Sequence, residues 1–340
     1  MQKEKSGFYQ TKIKPLLHHK VFTLVLLLCA MVIVFSVWSI AIGNNFFQAS
    51  TLKNIMTSLV VTSFLTIGAG CLLLSGNIDL SMSAIGALGS MVLALSMKEL
   101  NLPWWLSIIV ALLICAAFGL LNGVLINLFR FPAFIATLAM ASVARGLMYF
   151  FSSGGSAAAA VNVTFESEQM KYIGRGEPLP GVQIGVIIMI LFFVAYGILI
   201  NLTKYGLKVT LVGGNPNAAR LTGIKPKRIV FLLYINSAIL SGIAGTFTAA
   251  RVSQGNLSAL QTNQFTGMTA AILGGISFGG GSGGMGGAFA GLLILNTFQI
   301  GMTSVGVSTY WVSVFTGVIL LFALSLDFIK QQRQFKVVVA

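Results

Sequence analysis

AILGGISFGGGSGGMGGAFAGLL, residues 271–293, carries no charge and almost no polarity beyond its hydroxyls, yet it is dense with glycine. A segment apolar enough for lipid must satisfy its backbone groups inside the protein, because hydrocarbon offers no hydrogen bonds. Two arrangements can do so. Small residues four apart, as at Gly279/Gly283, Gly283/Gly287 and Gly287/Gly291, let two helix backbones approach closely. Consecutive glycines instead permit a tight turn at membrane depth, buried in protein or lining a cavity. Close packing predicts that alanine is tolerated at several of these positions. A turn predicts that Gly280 and Gly281 resist it while Gly291 accepts it almost silently. The stretch also contains G-x-G-x-x-G at Gly279, Gly281 and Gly284, but no strand precedes it and no acidic residue follows at ribose-binding distance, so it is not a dinucleotide site.

Of the 340 residues, 56% are hydrophobic and 8% charged, and the mean hydropathy is +0.91, more apolar surface than a water-soluble domain can bury. The composition predicts an all-α, polytopic transmembrane helix bundle whose surroundings are the lipid bilayer. The net charge of +14 is scattered through short segments between apolar runs, with no basic patch interleaved with aromatic residues, so no nucleic-acid partner is expected. Cys29, Cys71 and Cys115 lie in apolar runs without disulfide or metal-ligand spacing.

Runs of about 20 apolar residues fall near 21–42, 55–74, 80–97, 104–127, 132–151, 183–203, 229–250, 266–280, 285–302 and 308–328, about ten spans in one domain covering 1–340. The first is too long for a signal-peptide core and lacks an A-x-A cleavage site. Lysine and arginine collect in the tail 1–20, at Arg130, in the loop 204–228 and at Lys330, Arg333 and Lys336. The positive-inside rule puts those segments, and both termini, in the cytoplasm. The loop 152–180, where Glu166, Glu168 and Glu177 offset Lys171 and Arg175, falls on the opposite side.

Two further stretches interrupt the apolar pattern. In SGNIDLSMSA, residues 75–84, Asp79 is the one acidic residue between Glu4 and Glu99, set among Gly76, Asn77, Ser81 and Ser83. It either caps the third helix or stands on a solute pathway, since an ionisable group between two spans is costly and marks function. In TKYGLKVTLVGGNPNAARLTGIKPKR, residues 203–228, Asn215 suits a helix cap and Pro216 the first helical position. Asn217, Ala218, Ala219, Arg220 and Leu221 continue a helix of about two turns, which Gly223 ends in a left-handed conformation. So short a helix is marginal alone and needs a docking surface, either a globular partner or the bundle itself.

These stretches, in this order, resemble the permease subunits of ribose-, xylose- and galactose-type ATP-binding-cassette importers over about residues 50–328. Gly76 to Ser83 resembles that family's G-G-I-D-L-S-V-G, and Pro132 to Leu138 its P-x-F-I-x-T-L. Thr203, Gly206 and Gly213-Gly214-Asn215 through Ala218, Ala219, Arg220, Gly223 and Ile224 resemble T-x-x-G followed by G-G-N-x-x-A-A-R-L-S-G-I. Leu273 to Gly283 resembles its glycine-rich motif, and Gly306, Val307, Ser308, Tyr310 and Trp311 its G-V-S-x-Y-W. The chain departs from these patterns at Asn77, Met82, Ser83, Leu207, Thr222, Ser282 and Val312. The departures at 77, 82, 83 and 282 fall where the pathway is expected and bear on which solute passes.

The resemblance implies a permease subunit of the bacterial plasma (inner) membrane, not itself an enzyme, that forms the pathway for a small polar solute, a monosaccharide or related polyol. It implies that Asn77, Asp79, Ser81, Gly279, Gly280, Gly281 and Ser282 line or gate that pathway. It also implies that Asn215, Pro216, Asn217, Ala218, Ala219, Arg220 and Leu221, with Gly223, form a coupling helix. No G-x-x-x-x-G-K-[ST] is present, so a separate ATPase is expected to hold ATP and Mg, with no cofactor or metal in this chain. A second permease subunit, the same chain or a paralogue, and an extracytoplasmic solute-binding protein would complete the assembly. The alternative is an ion-coupled secondary transporter or passive channel. Ion coupling usually draws on several intramembrane acids, and here only Asp79 qualifies.

Overall fold

The computed structural model describes residues 20–157, 159–261 and 263–339, with side chains from Thr23 onward and, beyond Ile329, that of Gln332 alone. The expected tail 1–20, with His18 and His19, lies outside the described residues except for the backbone of Lys20. The helices are α1 (Lys20–Ala41), α2 (Ala49–Leu74), α3 (Met82–Lys98), α4 (Trp104–Asn127), α5 (Ala133–Ser152), α6 (Glu168–Arg175), α7 (Ile184–Asn201), α8 (Lys204–Gly214), α9 (Pro216–Leu221), α10 (Pro226–Val252), α11 (Asn263–Leu273), α12 (Met285–Ser304) and α13 (Thr309–Val339). Two short strands, β1 (Val163–Thr164) and β2 (Gln254–Gly255), pair antiparallel.

Eight helices among the described residues are long and apolar enough to cross a membrane: α1, α2, α4, α5, α7, α10, α12 and α13. The other two expected spans are shorter. Helix α3 has 17 residues and is buried along most of its length, so its environment is protein more than lipid. The expected span 266–280 is corrected: α11 has 11 residues and stops at Leu273, because Gly275 takes φ +91° and the chain stays non-helical through Gly284.

Packing radiates from α2, which is buried without interruption from Leu59 to Leu74 and lies against α7, α10, α11 and α12. Helix α10 in turn packs on α3 and α4. Small residues make this closeness feasible. A Cβ on Gly86 of α3 would lie 2.5 Å from the Ser241 carbonyl oxygen of α10, and one on Gly119 of α4 2.7 Å from that of Tyr234. Helices α1 and α13 are peripheral and present Ile40, Trp38, Leu321 and Phe322 outward, as lipid-facing helices do.

Residues 152–180, read from sequence as a loop, contain α6. Ser167 Oγ accepts the Met170 N–H at 3.3 Å, and Met170 is fully buried beneath the helix. Lys53 of α2 pairs with Glu177, and this hydrogen bond holds the Glu177 carboxyl below the usual carboxylate range.

The contact between α3 and α10 gives a direct test. Gly245→Ala drives a methyl group into the Gly86 carbonyl, whereas Gly197→Ala on α7 meets nothing within 4 Å. The first should cost about 1–3 kcal/mol through overpacking, and the second should gain up to about 1 kcal/mol from helix propensity. Thermal unfolding of the two variants in detergent checks this. Equal Tm values would remove the tight α3–α10 contact from the account.

Candidate functional site

Two bends in the backbone meet at one end of the bundle. The first, residues 75–81, joins α2 to α3 and turns Asp79 inward until it is 6% exposed. Asp79 Oδ1 accepts from the Ser81 N–H at 2.8 Å and from Ser81 Oγ at 2.5 Å, while Oδ2 accepts from Ser237 Oγ of α10 at 3.0 Å. Ser81 Oγ also accepts from Asn122 Nδ2 of α4 at 2.9 Å. Tyr234 OH donates to the Ile78 carbonyl at 2.9 Å, and the Leu80 N–H donates to Thr137 Oγ1 of α5 at 3.1 Å. Three helices thus hold one bend through polar groups, the condition under which a buried carboxylate is tolerated. Ser81 stands at the N-cap position of α3 without capping it through its side chain, and Asp79 acts two residues earlier, as the acceptor of a side-chain turn.

The second bend is residues 274–284. Its Gly281 N–H donates to the Leu74 carbonyl at 3.0 Å, where α2 ends. Gly280 and Gly281 take φ +85° and +75°, and added Cβ atoms would stand 2.7 Å from the Gly76 nitrogen and 2.6 Å from Gly214 Cα. A Cβ on Gly213, at the end of α8, would collide with the Leu74 carbonyl. Three backbones therefore touch with no side chain between them. Asp327 of α13 adds a further tie, its Oδ2 accepting from the Phe278 N–H at 2.9 Å and from Ser277 Oγ at 3.1 Å. Asn77 lies beside this junction, half-buried, with Nδ2 donating to the Ser75 carbonyl at 3.1 Å. Ser282 is exposed, and its carbonyl accepts from the Ser277 N–H at 3.0 Å.

The two readings of the glycine stretch each hold, in different halves. Gly279 to Gly283 form the turn, whereas Gly287 and Gly291 stand on α12, Gly291 packing against Ala270 of α11 and Gly287 against Gly274 just beyond that helix. Near-silence of alanine at Gly291 is corrected, since its methyl would strike the Ala270 carbonyl. Gly286, with nothing within 4 Å, is the open position.

Helix α9 follows directly on the junction. Asn215 Oδ1 accepts from the N–H groups of Asn217 and Ala218, both at 3.0 Å, and Pro216 occupies the first turn. Gly223, at φ +80°, closes the helix by donating to the Arg220 carbonyl, and the Ile224 N–H reaches the Ala219 carbonyl at 3.1 Å. Ala219 is buried and anchors the helix, whereas Arg220 is exposed and Leu221 is 91% exposed. Both ends of the helix are therefore held, and Leu221 projects from it.

Sequence reasoning missed one feature. A cleft of about 280 Å³ between α11, α12 and α13 is lined by the polar Thr266, Thr269, Gln299, Ser313 and Thr316, by the apolar Phe265, Val312 and Leu320 with Gly317, and by no charged residue. Gln299 Nε2 donates to Thr316 Oγ1 at 3.1 Å across it. Each hydroxyl alone is ordinary on an apolar helix, so only the meeting of three helices reveals the set. Asn122, an amide within the apolar run of α4, is a sign of the Asp79 network that lies outside residues 75–84. Among the described residues no three His, Cys, Asp or Glu side chains gather as a metal site.

Residues 51–324 match the family described as the branched-chain amino acid transport system / permease component. The ribose import permease protein RbsC of Escherichia coli strain K12 is 31% identical over 306 residues, 89% of this chain and 93% of that one. RbsC of Bacillus subtilis strain 168 is 32% identical over 287 residues, covering 84% and 87% of the two chains. The fructose import permease protein FrcC of Rhizobium meliloti is 26% identical over 302 residues, covering 88% and 84%. No solved structure matches. With eight membrane-length helices and a family match over most of its length, the chain belongs to this family: it is a multi-pass permease subunit of an ATP-binding-cassette importer in the plasma (inner) membrane, a transport component and not an enzyme.

Proposed function

We propose that this permease passes a monosaccharide or related polyol and is driven by a separate ATPase seated on α9. The observation that carries the coupling role is the capped six-residue helix with Leu221 91% exposed and Arg220 beside it. The solute class is supported by the ribose and fructose import relatives and by the uncharged cleft between α11, α12 and α13, whose hydroxyl and amide groups suit a polyol. In this reading α3 and α11 join the eight long helices to make ten membrane segments. Both termini and residues 204–228 lie in the cytoplasm, where their basic residues favour them. ATP and Mg belong to the ATPase, and a second permease, identical or paralogous, and an extracytoplasmic solute-binding protein complete the importer.

The gate in this proposal is the pair of bends. Gly213 and Gly214 connect α9 to the junction, so a shift of α9 presses α8 against the end of α2 and the turn at Gly279, Gly280, Gly281 and Ser282. Backbone packed on backbone has no rotamer with which to absorb the push, and close-packed elements move between discrete arrangements. Asn77, Asp79 and Ser81 belong to the other bend, where the hydrogen bonds of Asp79 carry its displacement to α10.

Arg220→Glu should leave membrane insertion intact, uncouple ATP hydrolysis from uptake and lower uptake by roughly 10-fold or more, the scale of a charged anchor lost from an interface. Normal uptake by that variant would count against α9 as the coupling helix. Gly280→Ala and Gly281→Ala should cut uptake strongly while the complex still assembles, because a left-handed alanine costs about 1–2 kcal/mol before any collision. Gly286→Ala should be nearly silent; similar uptake by all three would remove the turn from the gating mechanism. For topology, Ser153→Cys and Gln332→Cys can be made in a background lacking Cys29 and exposed to an impermeant thiol reagent. Ser153→Cys should label in intact cells and Gln332→Cys only after permeabilisation. Equal labelling would overturn the orientation.

A further inference from the structure

We propose that an anionic phospholipid of the cytoplasmic leaflet binds between α7, α8 and α10, its phosphate held by Lys208, Lys225 and Arg228 and one acyl chain lying along α7 and α10. This rests on the cytoplasmic placement of residues 204–228, which the labelling experiment tests separately from lipid binding.

A pocket of about 600 Å³ at the end of α10 gathers Lys208, Lys225 and Arg228 around Tyr205 and Thr222. No Asp or Glu occurs from residue 178 to residue 326, and among the described residues none of the three cations forms an ion pair. Like charges brought into one concavity repel each other, and an anionic occupant relieves that repulsion.

Solvated lysines alone would need no occupant; the distinguishing feature is what this pocket opens into. A narrower cleft of about 250 Å³ continues between α7 and α10, with Cys71 of α2 at its floor and Leu199, Ile200 and Leu233 on its walls. Tyr205 and Leu232 line both cavities, so the cationic and apolar parts adjoin there. Within the apolar part Tyr196 OH donates to Asn236 Oδ1. Along α10 the groove runs from Arg228 to Asn236, about 12 Å at the helical rise per residue. Lys225 and Arg228 stand at the start of α10 and Lys208 faces the same pocket from α8, while the apolar walls follow α10 away from that end. That order of chemistry matches a phospholipid, whereas a free phosphate or nucleotide would use the cationic part alone.

The intact importer, purified in mild detergent, can be titrated with phosphatidylglycerol or phosphatidylcholine and its bound lipids counted by native mass spectrometry. Phosphatidylglycerol should be retained preferentially. Lys208→Gln, Lys225→Gln and Arg228→Gln should each weaken that retention about 5-fold, the factor equivalent to about 1 kcal/mol per basic residue near an anionic surface. Lys227→Gln, in the same segment but not among the lining residues, should change it little. Leu232→Trp narrows the shared throat and should expel phosphatidylglycerol while leaving binding of inorganic phosphate unchanged. Equal retention of the two lipids would overturn the proposal, as would equal effects of the Lys227 and pocket variants. Retention untouched by Leu232→Trp but displaced by inorganic phosphate would assign the pocket to free phosphate. Release of the ATPase by the glutamine variants, with lipid retention unchanged, would assign the cations to that interface instead.

Discussion

The hydrogen bond from the Gly281 N–H to the Leu74 carbonyl, 3.0 Å long, is the contact on which the arrangement of this permease depends. A helix leaves its last carbonyls without intrahelical partners, and away from water each must find a donor. At the end of α2 the account closes: the Leu72 carbonyl accepts from Ser75 and Asn77, the Leu73 carbonyl from Gly76, and the Leu74 carbonyl from a turn far along the chain. That last donor can arrive only because the approaching residues have no side chains. Gly213 presses on the same carbonyl, which places α8, and therefore α9, against the end of α2, buried from Leu59 to Leu74.

This junction explains why polar residues gather where they do. A bend in a bundle core exposes backbone groups that the apolar helices around it cannot satisfy, so the chain supplies Asp79, Ser81, Asn122, Thr137 and Ser237 at one bend and Asp327 at the other. Both carboxylates hold turns in place. Each of these hydrogen bonds restrains its bend, although Asn122 Oδ1 is left buried without a partner.

The cationic groove approaches α8 from the side opposite in character. Tyr205 and Lys208 of that helix line the groove, and its last residues, Gly213 and Gly214, meet the junction. Helix α8 is therefore the element at which the cationic groove, α9 and the two bends adjoin one another. Its own start is fixed locally, with Thr203 Oγ1 accepting from the Tyr205 N–H at 3.2 Å.

The sequence by itself determined what local forces control. Apolar runs long enough for a bilayer announced the helices, and Asn215, Pro216 and Gly223 specified α9 because a cap, a fixed φ and a left-handed residue act within a single turn. Contacts between distant parts of the chain were not legible. Asp79 and Ser237 are 158 residues apart, so composition showed an isolated carboxylate where the fold has a satisfied one. Glycine spacing was equally compatible with packing and turning, and only the collision of Gly291 with α11 and of Gly280 with Gly76 assigned each glycine its part. Helix α11 ended early for the same reason: its length followed from the need of the next residues to reach the end of α2. Hydrophobicity decided which segments leave water, whereas steric contact and hydrogen bonding between segments, which tertiary structure alone brings together, decided where they bend.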